Sequence, residues 1–478
     1  MTRDRPWASR AVLAVRPGHP RGRGVTGLAL AGQRDIACVP TEPGRGTLYA
    51  EGWQSWSAVA QRPPTARPRP VTARASVAID CQYGTAAPPG VHQGAGLLAI
   101  DPGDQGPVEI FAAVNVAEQV PVIQARVCDG YLIVSADGAV TRRTDAGGGG
   151  LTGALGRWAA EFAARAGVPP AGLRPVPPVW CSWYQYFDRA TEDDIRANLR
   201  AMDDLELGIG VLQIDDGYQR APGDWLRSSG RFADLPGLAG RIRDAGRRAG
   251  LWIAPMLVGR SSELLRDHPG WVVRDPSGEP VSAGHVCRQE CTALDVTHPD
   301  AAAYLSGVLR TMRGWGIDYF KIDFMYAGAL EGRRHQDVTG VRAYQRGLRL
   351  IRDAIGPDAL LLGCGAPILP SVGLVDAMRV GPDIATDYEP AGGNPSQPSQ
   401  QNAARNTVAR AWQQGRFWVN DPDCLLARPG VQRREDWAAL VERYGGLRSS
   451  GDGLRNLDAW GLAATRRLLV PSPAGPVT

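Results

Sequence analysis

The pattern of apolar and polar positions changes near residue 179. Before about residue 150, short apolar runs such as 108–114 and 131–134 alternate with turns rich in Gly, Pro and Asp. Runs of this length and spacing predict a β-sandwich. The glycines at 147–150 form a break in the pattern, and the amphipathic segment at 155–166 predicts a short connecting helix.

From residue 179 onward, buried-strand patterns alternate with longer helical ones. Strands are predicted at 179–183, 210–214, 251–254, 319–322, 360–363, 377–380 and 417–420, and near 446–450. Helices are predicted at 192–202, 238–248, 301–315, 338–354 and 399–413. Alternation of strand and helix is typical of a parallel α/β fold, and the number of strands favours a closed (β/α)8 TIM barrel.

These patterns predict the organisation of the whole chain. An N-terminal β-sandwich domain with its connecting helix covers 1–166, and a proline-rich linker covers 167–178. The catalytic barrel covers 179–469 and leaves a tail at 470–478, so little or no C-terminal β domain is expected. The sequence leaves open whether a homo-oligomer covers the flank of the barrel.

Composition and charge exclude several classes of function. The 478 residues carry a net charge of +4, which is too mild to indicate nucleic acid or membrane as a partner. No early apolar run has the length of a signal-peptide core, so a cytoplasmic protein with free thiols is expected. Histidines and cysteines do not cluster at metal-ligand spacing, so no metal and no cofactor are expected.

Acidic residues repeatedly follow the predicted strands. The carboxyl ends of barrel strands share one rim, where active sites lie. Carboxylates accept hydrogen bonds from sugar hydroxyls and Trp rings stack on sugar faces, so this rim suits a carbohydrate. The acidic candidates are Asp215, Asp216, Asp323, Asp383, Asp387, Asp421 and Asp423.

Two of these carboxyl groups have neighbours that suit glycoside hydrolysis, which needs a pair. Lys321 is the sole lysine of the sequence and precedes Asp323 by two residues, so in a strand both side chains share a face. Its ammonium is expected to keep Asp323 ionised as a nucleophile. Asp383 lies near Arg379, and partial desolvation is expected to let it hold a proton as an acid.

A series of motifs runs through the chain in a fixed order. They are EGWQSWS at 51–57, WCSWY at 180–184, QIDDGY at 213–218, GDWL at 223–226, GLWIAP at 250–255, LDVTHP at 294–299, DYFKIDF at 318–324, LGCGAP at 362–367, MRVGPD at 378–383 and WVNDPDC at 418–424. Together these motifs resemble glycoside hydrolase family 36, the melibiase-type α-galactosidases. The resemblance covers nearly the whole chain.

The resemblance implies a retaining α-galactosidase that removes terminal α-linked galactose from oligosaccharides or glycoconjugates by double displacement, without a cofactor or metal. It implies that Asp323 is the nucleophile and Asp383 the acid/base. The residues implied to bind or enclose the galactose are Lys321, Asp215, Asp216, Trp252, Trp183, Tyr184, Arg379, Cys364 and Trp56. Among these, Arg379 and Cys364 are implied to lie near the 2-hydroxyl, and Trp56 to cap the site.

The chain departs from the family pattern on the side of the leaving group. The departing segments are 256–260, 291–292 and 386–390, and they predict an unusual preference for the group attached to galactose. Four alternatives stay open. Within the family they are an α-N-acetylgalactosaminidase and an α-galactosyl transferase. Outside it they are a catalytically inactive glycan-binding protein and a metal-dependent barrel isomerase.

Overall fold

The chain forms two compact units, which are described separately. The computed structural model describes residues 33–42, 44–66, 87–103, 106–169, 172–395, 397–471 and 475. The described part of the first unit lies within 33–51, 60–66 and 87–158, and that of the second within 52–59 and from 159 onward. The segment 52–59, which carries Trp56, therefore groups with the second unit, although the sequence assigns it to the N-terminal domain.

The first unit is rich in β-structure, as predicted. Its strands are β1 Arg34–Pro40, β2 Thr47–Ala50, β3 Gln61–Arg62, β4 Val91–Ala95, β5 Leu97–Asp101, β6 Val108–Ala113, β7 Val122–Cys128, β8 Tyr131–Ala136 and β9 Val140–Asp145. They form two antiparallel sheets, with the orders β1-β8-β7-β4 and β3-β2-β5-β6-β9. Strand β8 alternates between exposed and buried positions, with Leu132 and Val134 turned inward. These side chains and Ile100 and Phe111 of the other sheet belong to one apolar core.

The second unit contains the remaining strands. They are β10 Val179–Cys181, β11 Val211–Ile214, β12 Arg248–Ile253, β13 Leu257–Gly259, β14 Ser282–Val286, β15 Gln289–Ala293, β16 Ile317–Ile322, β17 Leu360–Gly363, β18 Ala377–Arg379, β19 Val419–Asp421 and β20 Ser449–Ser450. Eight of these form a parallel sheet in the order β19-β18-β17-β16-β12-β11-β10-β20. The amide N–H groups of Gly446 and Leu447, just before β20, donate to the carbonyl of Asn420 in β19 (3.1 and 2.8 Å).

Helices alternate with these strands, which confirms the predicted α/β fold. The helices are α1 Gly150–Arg165, α2 Trp183–Tyr186, α3 Glu192–Asp204, α4 Leu235–Asp244, α5 Glu263–Asp267, α6 Pro299–Gly314, α7 Gly340–Ile355, α8 Ile368–Ser371, α9 Gln400–Ala409, α10 Arg434–Tyr444 and α11 Ala459–Leu468. Short 3-10 turns lie at Phe187–Arg189, Pro269–Trp271, Met325–Ala329, Ala391–Gly393, Ala411–Gln413 and Leu454–Asn456. Among the described residues, none of the helices has the length and apolar character that a membrane crossing requires.

Two features differ from the sequence-based expectation. Helix α4 begins at Leu235 rather than 238, because the Asp234 side chain caps it by accepting the Gly237 N–H and Pro236 follows in the first turn. The antiparallel sheet β13-β15-β14 was not predicted, because its strands are short and lack a clear apolar alternation. This sheet follows β12 in the chain and brings Cys287 to the site described below.

Candidate active site

The carboxyl ends of the parallel strands bring the predicted acidic residues to one rim. Because all eight strands run in the same direction, residues that follow them lie at the same edge of the sheet. Asp215 follows β11, Asp323 follows β16 and Asp383 lies four residues beyond the end of β18. Asp421 ends β19. Asp387 is exposed and accepts a hydrogen bond from Gln432 (3.3 Å) instead of joining this group.

Asp323 is a buried carboxylate with few protein donors. The indole Nε1–H of Trp252 donates to its Oδ2 (3.0 Å), and the Phe324 amide donates to its Oδ1 (2.7 Å). Only 7% of the residue is exposed. Trp252 lies edge to face against Trp225, with ring centroids 6.0 Å apart, which fixes the indole that holds Asp323. The carboxylate is therefore positioned by two donors and is not neutralised by a direct ion pair.

Lys321 pairs with Asp215, whereas the sequence suggested that it acts on Asp323. Its Nζ donates to Asp215 Oδ2 (3.0 Å), and both side chains are buried. Burial disfavours the charged ammonium, but the Asp215 carboxylate outweighs it and raises the pKa of Lys321 well above its ordinary value. The Asp323 charge also favours the ammonium. Lys321 thus stays charged between two carboxylates, which suits a donor to sugar hydroxyls.

Asp216 lies beside Asp215 and is held from two sides. Gln219 Nε2 donates to its Oδ1 (2.5 Å), and the Cys287 thiol donates to its Oδ2 (3.4 Å). Burial raises the pKa of Asp216, the Gln219 hydrogen bond opposes that shift and the nearby Asp215 charge adds to it. The two adjacent carboxyl groups are thus fixed in orientation, as recognition of a specific set of hydroxyls requires.

Arg379 binds three carboxyl groups. Its Nε donates to Asp421 Oδ2 (3.1 Å), and its two terminal nitrogens contact Asp423 (both 2.9 Å). One of them also donates to Asp383 Oδ1 (3.0 Å). Arg379 is only 2% exposed. A single positive charge therefore faces three carboxyl groups in a buried setting.

Asp383 is the carboxyl of this group that is suited to hold a proton. The surrounding protein desolvates it and raises its pKa to about 7; Arg379 opposes the shift, and the Asp423 charge adds to it. Its side chain keeps 34% of its surface exposed, so the carboxyl can reach a bound molecule. A carboxyl group that still carries a proton near pH 7 is what the acid of an acid and nucleophile pair needs.

Trp56 and Cys364 lie close to the nucleophile candidate. The Trp56 ring packs edge to face on Phe324, the residue after Asp323, with centroids 5.2 Å apart. Gly365, which follows Cys364, has a positive φ of 53°, and a Cβ there would lie 2.9 Å from the Trp56 ring. Burial raises the pKa of the Cys364 thiol well above its ordinary value, so the thiol stays neutral. The predicted cap and pocket wall thus lie next to the candidate nucleophile.

Trp183 and Tyr184 occupy different environments in helix α2. Trp183 is partly exposed and packs edge to face with Phe187 (5.3 Å between centroids). Tyr184 is buried, and its hydroxyl donates to Asp423 Oδ2. Tyr184 therefore supports the carboxyl cluster around Arg379, a contact that the sequence did not indicate. Burial raises the pKa of Tyr184 well above its usual value, which keeps its hydroxyl a donor.

Sequence reasoning missed the residues that orient the acidic groups. Gln213 donates to Asp215 Oδ2 (2.6 Å), and the Cys181 thiol donates to the same oxygen (3.3 Å). Gln213 shares a strand face with Asp215, two residues away, and that spacing was an available signal. No sequence pattern indicated Cys287, because its contact with Asp216 depends on the sheet β13-β15-β14, which was not predicted. Among the described residues, no three His, Cys, Asp or Glu side chains form a group that could hold a metal.

Comparison with known proteins finds similarity to proteins named alpha-galactosidase or galactosaminidase. The Melibiase family model matches residues 173–346. Alpha-galactosidase AgaA of Geobacillus stearothermophilus is 29% identical over 185 residues, which cover 36% of this chain and 24% of that protein. The A type blood alpha-D-galactosamine galactosaminidase of Flavonifractor plautii is 30% identical over 142 residues, which cover 26% and 13%. The chain thus matches about a quarter or less of the length of these curated relatives.

A solved structure is similar over a much larger part of the chain. TtGalA, an alpha-galactosidase from Thermus thermophilus solved with p-nitrophenyl alpha-D-galactopyranoside, is 29% identical. The similarity covers 91% of each chain, with a TM-score of 0.74.

Proposed function

We propose, starting from the relationship of this chain to the glycoside hydrolase family 36 α-galactosidases, that it hydrolyses terminal α-linked galactose with retention of configuration. The observation that carries the proposal is the contrast between two rim carboxyl groups. Asp323 is held by N–H donors, whereas the pKa of Asp383 is raised to about 7. We propose further that the parallel sheet is a (β/α)8 barrel that holds both groups at its rim.

The reaction has two displacements. The Asp323 carboxylate attacks the anomeric carbon from the β face, while Asp383 donates its proton to the departing glycosidic oxygen. A β-galactosyl ester on Asp323 and a free alcohol result. Asp383, now a carboxylate, takes a proton from water, and the hydroxide oxygen attacks the same carbon. The ester bond breaks, α-galactose leaves and both carboxyl groups return to their starting states.

Galactose recognition is assigned to the residues around the two acidic groups. The ion pair of Lys321 and Asp215, together with Asp216, supplies a donor and acceptors at fixed positions, which suits the axial 4-hydroxyl and the 6-hydroxyl. Trp252 and Trp56 supply apolar ring surface beside the nucleophile. Cys364 is assigned to the wall near the 2-hydroxyl, where its size bears on whether an N-acetyl group fits.

The first test of the proposal is a comparison of three chromogenic substrates. The wild-type protein should hydrolyse 4-nitrophenyl α-galactoside at least tenfold faster than the α-N-acetylgalactosaminide and the α-glucoside. The galactosaminide is the informative competitor, because one relative carries the name of a galactosaminidase. Faster cleavage of the galactosaminide would indicate N-acetylgalactosamine, and not galactose, as the sugar that the protein removes. A folded protein inactive on all three substrates would reject the proposal.

The pH dependence should report the protonation of Asp383. Because its pKa is about 7 and the protonated form is the active acid, kcat/KM should fall about tenfold per pH unit as pH rises above that value. The profile should be measured with a natural-type substrate such as raffinose, whose sugar leaving group needs the proton. A kcat/KM that stays constant well above pH 7 would contradict this assignment.

Lys321→Arg should lower kcat/KM by roughly 100-fold, although it keeps the positive charge. The buried ammonium donates to Asp215 Oδ2 at 3.0 Å, and a planar guanidinium is too wide for the same position. Arg310→Lys, at an exposed position of α6, is the control for exchange of the two cations and should leave the kinetics unchanged. Near-normal activity of Lys321→Arg would refute the proposed role of the ammonium.

A further inference from the structure

The charges around Arg379 do not balance. This buried guanidinium contacts Asp421, Asp423 and Asp383, so one positive charge serves three carboxyl groups. Three ionised carboxylates in this setting would leave an uncompensated buried negative charge, which is costly. One proton within the group reduces that net negative charge from two to one and so lowers the cost. The location of this proton decides which carboxyl group can act as an acid.

Burial raises the pKa of Asp423, but Arg379 and the hydrogen-bond donors around its carboxylate oppose that shift. Its carboxylate accepts the amide N–H groups of Ile384 (2.8 Å) and Cys424 (2.7 Å), the Tyr184 hydroxyl and two nitrogens of Arg379. Hydrogen bonds to the charged form favour ionisation. The residue is completely buried and adopts a left-handed φ of 94°, which is strained for a residue other than Gly. The fold therefore maintains an unfavourable backbone conformation that directs this carboxylate at Arg379.

Asp421 occupies the remaining side of the guanidinium. Its Oδ2 accepts the Arg379 Nε–H (3.1 Å), and its Oδ1 accepts the Asp423 amide N–H (2.9 Å). It is 2% exposed. Asp383, in contrast, has one described side-chain donor, the Arg379 nitrogen at 3.0 Å, and keeps 34% of its side-chain surface exposed. Protonation of Asp383 therefore disrupts fewer hydrogen bonds and ion pairs than protonation of Asp421 or Asp423.

We propose that the buried pair Asp421 and Asp423 are positioning residues that neutralise Arg379 and thereby keep the acid/base proton on Asp383. This inference rests on the proposed function, in which Asp383 is the acid/base. Without the pair, Arg379 would be free to form a full ion pair with Asp383 and to hold it as an inert carboxylate. The pair touches neither the substrate nor the reacting atoms in this scheme; it acts through the guanidinium.

The other groups that face Asp383 do not account for its proton. They come from the ends of three strands, β16, β17 and β10, and are Lys321, Asp323, Cys364 and Tyr184. Lys321 favours the ionised form of Asp383 and Asp323 disfavours it, so these charges oppose each other. Tyr184 and Cys364 are neutral at ordinary pH, since burial raises the pKa of both. Burial is the largest cause of the raised pKa of Asp383, and the Asp423 charge adds to it.

The test is the pH profile of kcat/KM for raffinose in Asp423→Asn and Asp421→Asn. Each variant removes one negative charge from the cluster, so Arg379 should hold Asp383 ionised. The alkaline limb of the profile, where kcat/KM falls with rising pH, should then move to lower pH by about one unit or more. Asp452→Asn is the matched control. Asp452 is equally buried and binds Arg428 (2.7 Å) and the Ala427 N–H (2.6 Å), but no contact joins it to Arg379. In Asp452→Asn the alkaline limb should lie at the same pH as in the wild type.

An alkaline limb that stays in place, or moves to higher pH, in folded Asp423→Asn or Asp421→Asn would overturn the inference. If neither variant folds, infrared spectra of the wild type still decide. A protonated carboxyl band should be present below pH 7, should titrate away near that pH and should be missing from Asp383→Asn. Lack of that band, or its persistence in Asp383→Asn, would locate the proton elsewhere and overturn the inference. The infrared reading is independent of activity, so an inactive wild type would reject only the proposed function.

Discussion

Asp323→Ala is expected to lower kcat/KM for α-galactosides by roughly 10⁴-fold or more, because it removes the proposed nucleophile. Substrate binding should change much less, since the ion pair of Lys321 and Asp215 stays in place. Loss of activity by itself does not distinguish a lost nucleophile from a damaged site. Chemical rescue makes that distinction.

Azide should restore part of the turnover of Asp323→Ala. The small anion can enter the space left by the carboxylate and attack the anomeric carbon from the same face. The product should be β-galactosyl azide, with configuration inverted relative to the substrate. Asp318→Ala is the control, because Asp318 lies in the same strand β16 but pairs with Arg248 near its other end (3.4 Å). Unimpaired hydrolysis by Asp323→Ala would remove this residue from the mechanism.

Asp383→Ala should separate substrates by their leaving groups. Raffinose needs a proton on the departing oxygen, so its kcat/KM should fall by roughly 10²–10⁴-fold. The first step with 4-nitrophenyl α-galactoside should be much less affected, because nitrophenolate leaves without protonation. The alkaline limb near pH 7 should vanish along with the residue that causes it. Kinetics over both substrates and a range of pH check the result.

Asp387→Ala is the matched control for that variant. Asp387 lies four residues later and was an acidic candidate in the sequence, but it is exposed and contacts Gln432. Its replacement should leave the ratio of the two substrates unchanged. Equal losses on raffinose and on the nitrophenyl substrate in Asp383→Ala would argue that Asp383 supports the site without donating a proton.

Most of the parallel sheet could be predicted from sequence, because its strands are short apolar runs between long helical patterns. Every predicted strand overlaps an observed one, and 360–363 matches β17 at both ends. The sheet β13-β15-β14 could not be predicted, since strands such as Ser282–Val286 owe their pairing to neighbours and not to their own pattern. Helix boundaries differed where a cap such as Asp234 set the start.

The structure brings most of the predicted site residues together, but the contacts between them could not be predicted from the sequence. Strand register places Lys321 and Asp323 on one face, yet register does not say that the ammonium turns to Asp215. That choice depends on β11, which lies two strands away from β16 in the sheet, beyond β12. Sequence spacing does not indicate this contact. Likewise, Asp421 and Asp423 were recognised as rim acids, but their shared partner Arg379 becomes visible only in three dimensions.

The single lysine also has a consequence for proteolysis. A protease that cuts only after lysine has one target bond in the whole sequence, between Lys321 and Ile322. That bond lies in β16, which is paired on both sides, with β12 and with β17. In the native state the strand cannot enter a protease cleft, so scission at this bond requires the sheet to open. The yield of two fragments therefore measures how often the centre of the sheet is exposed, without any label or substrate.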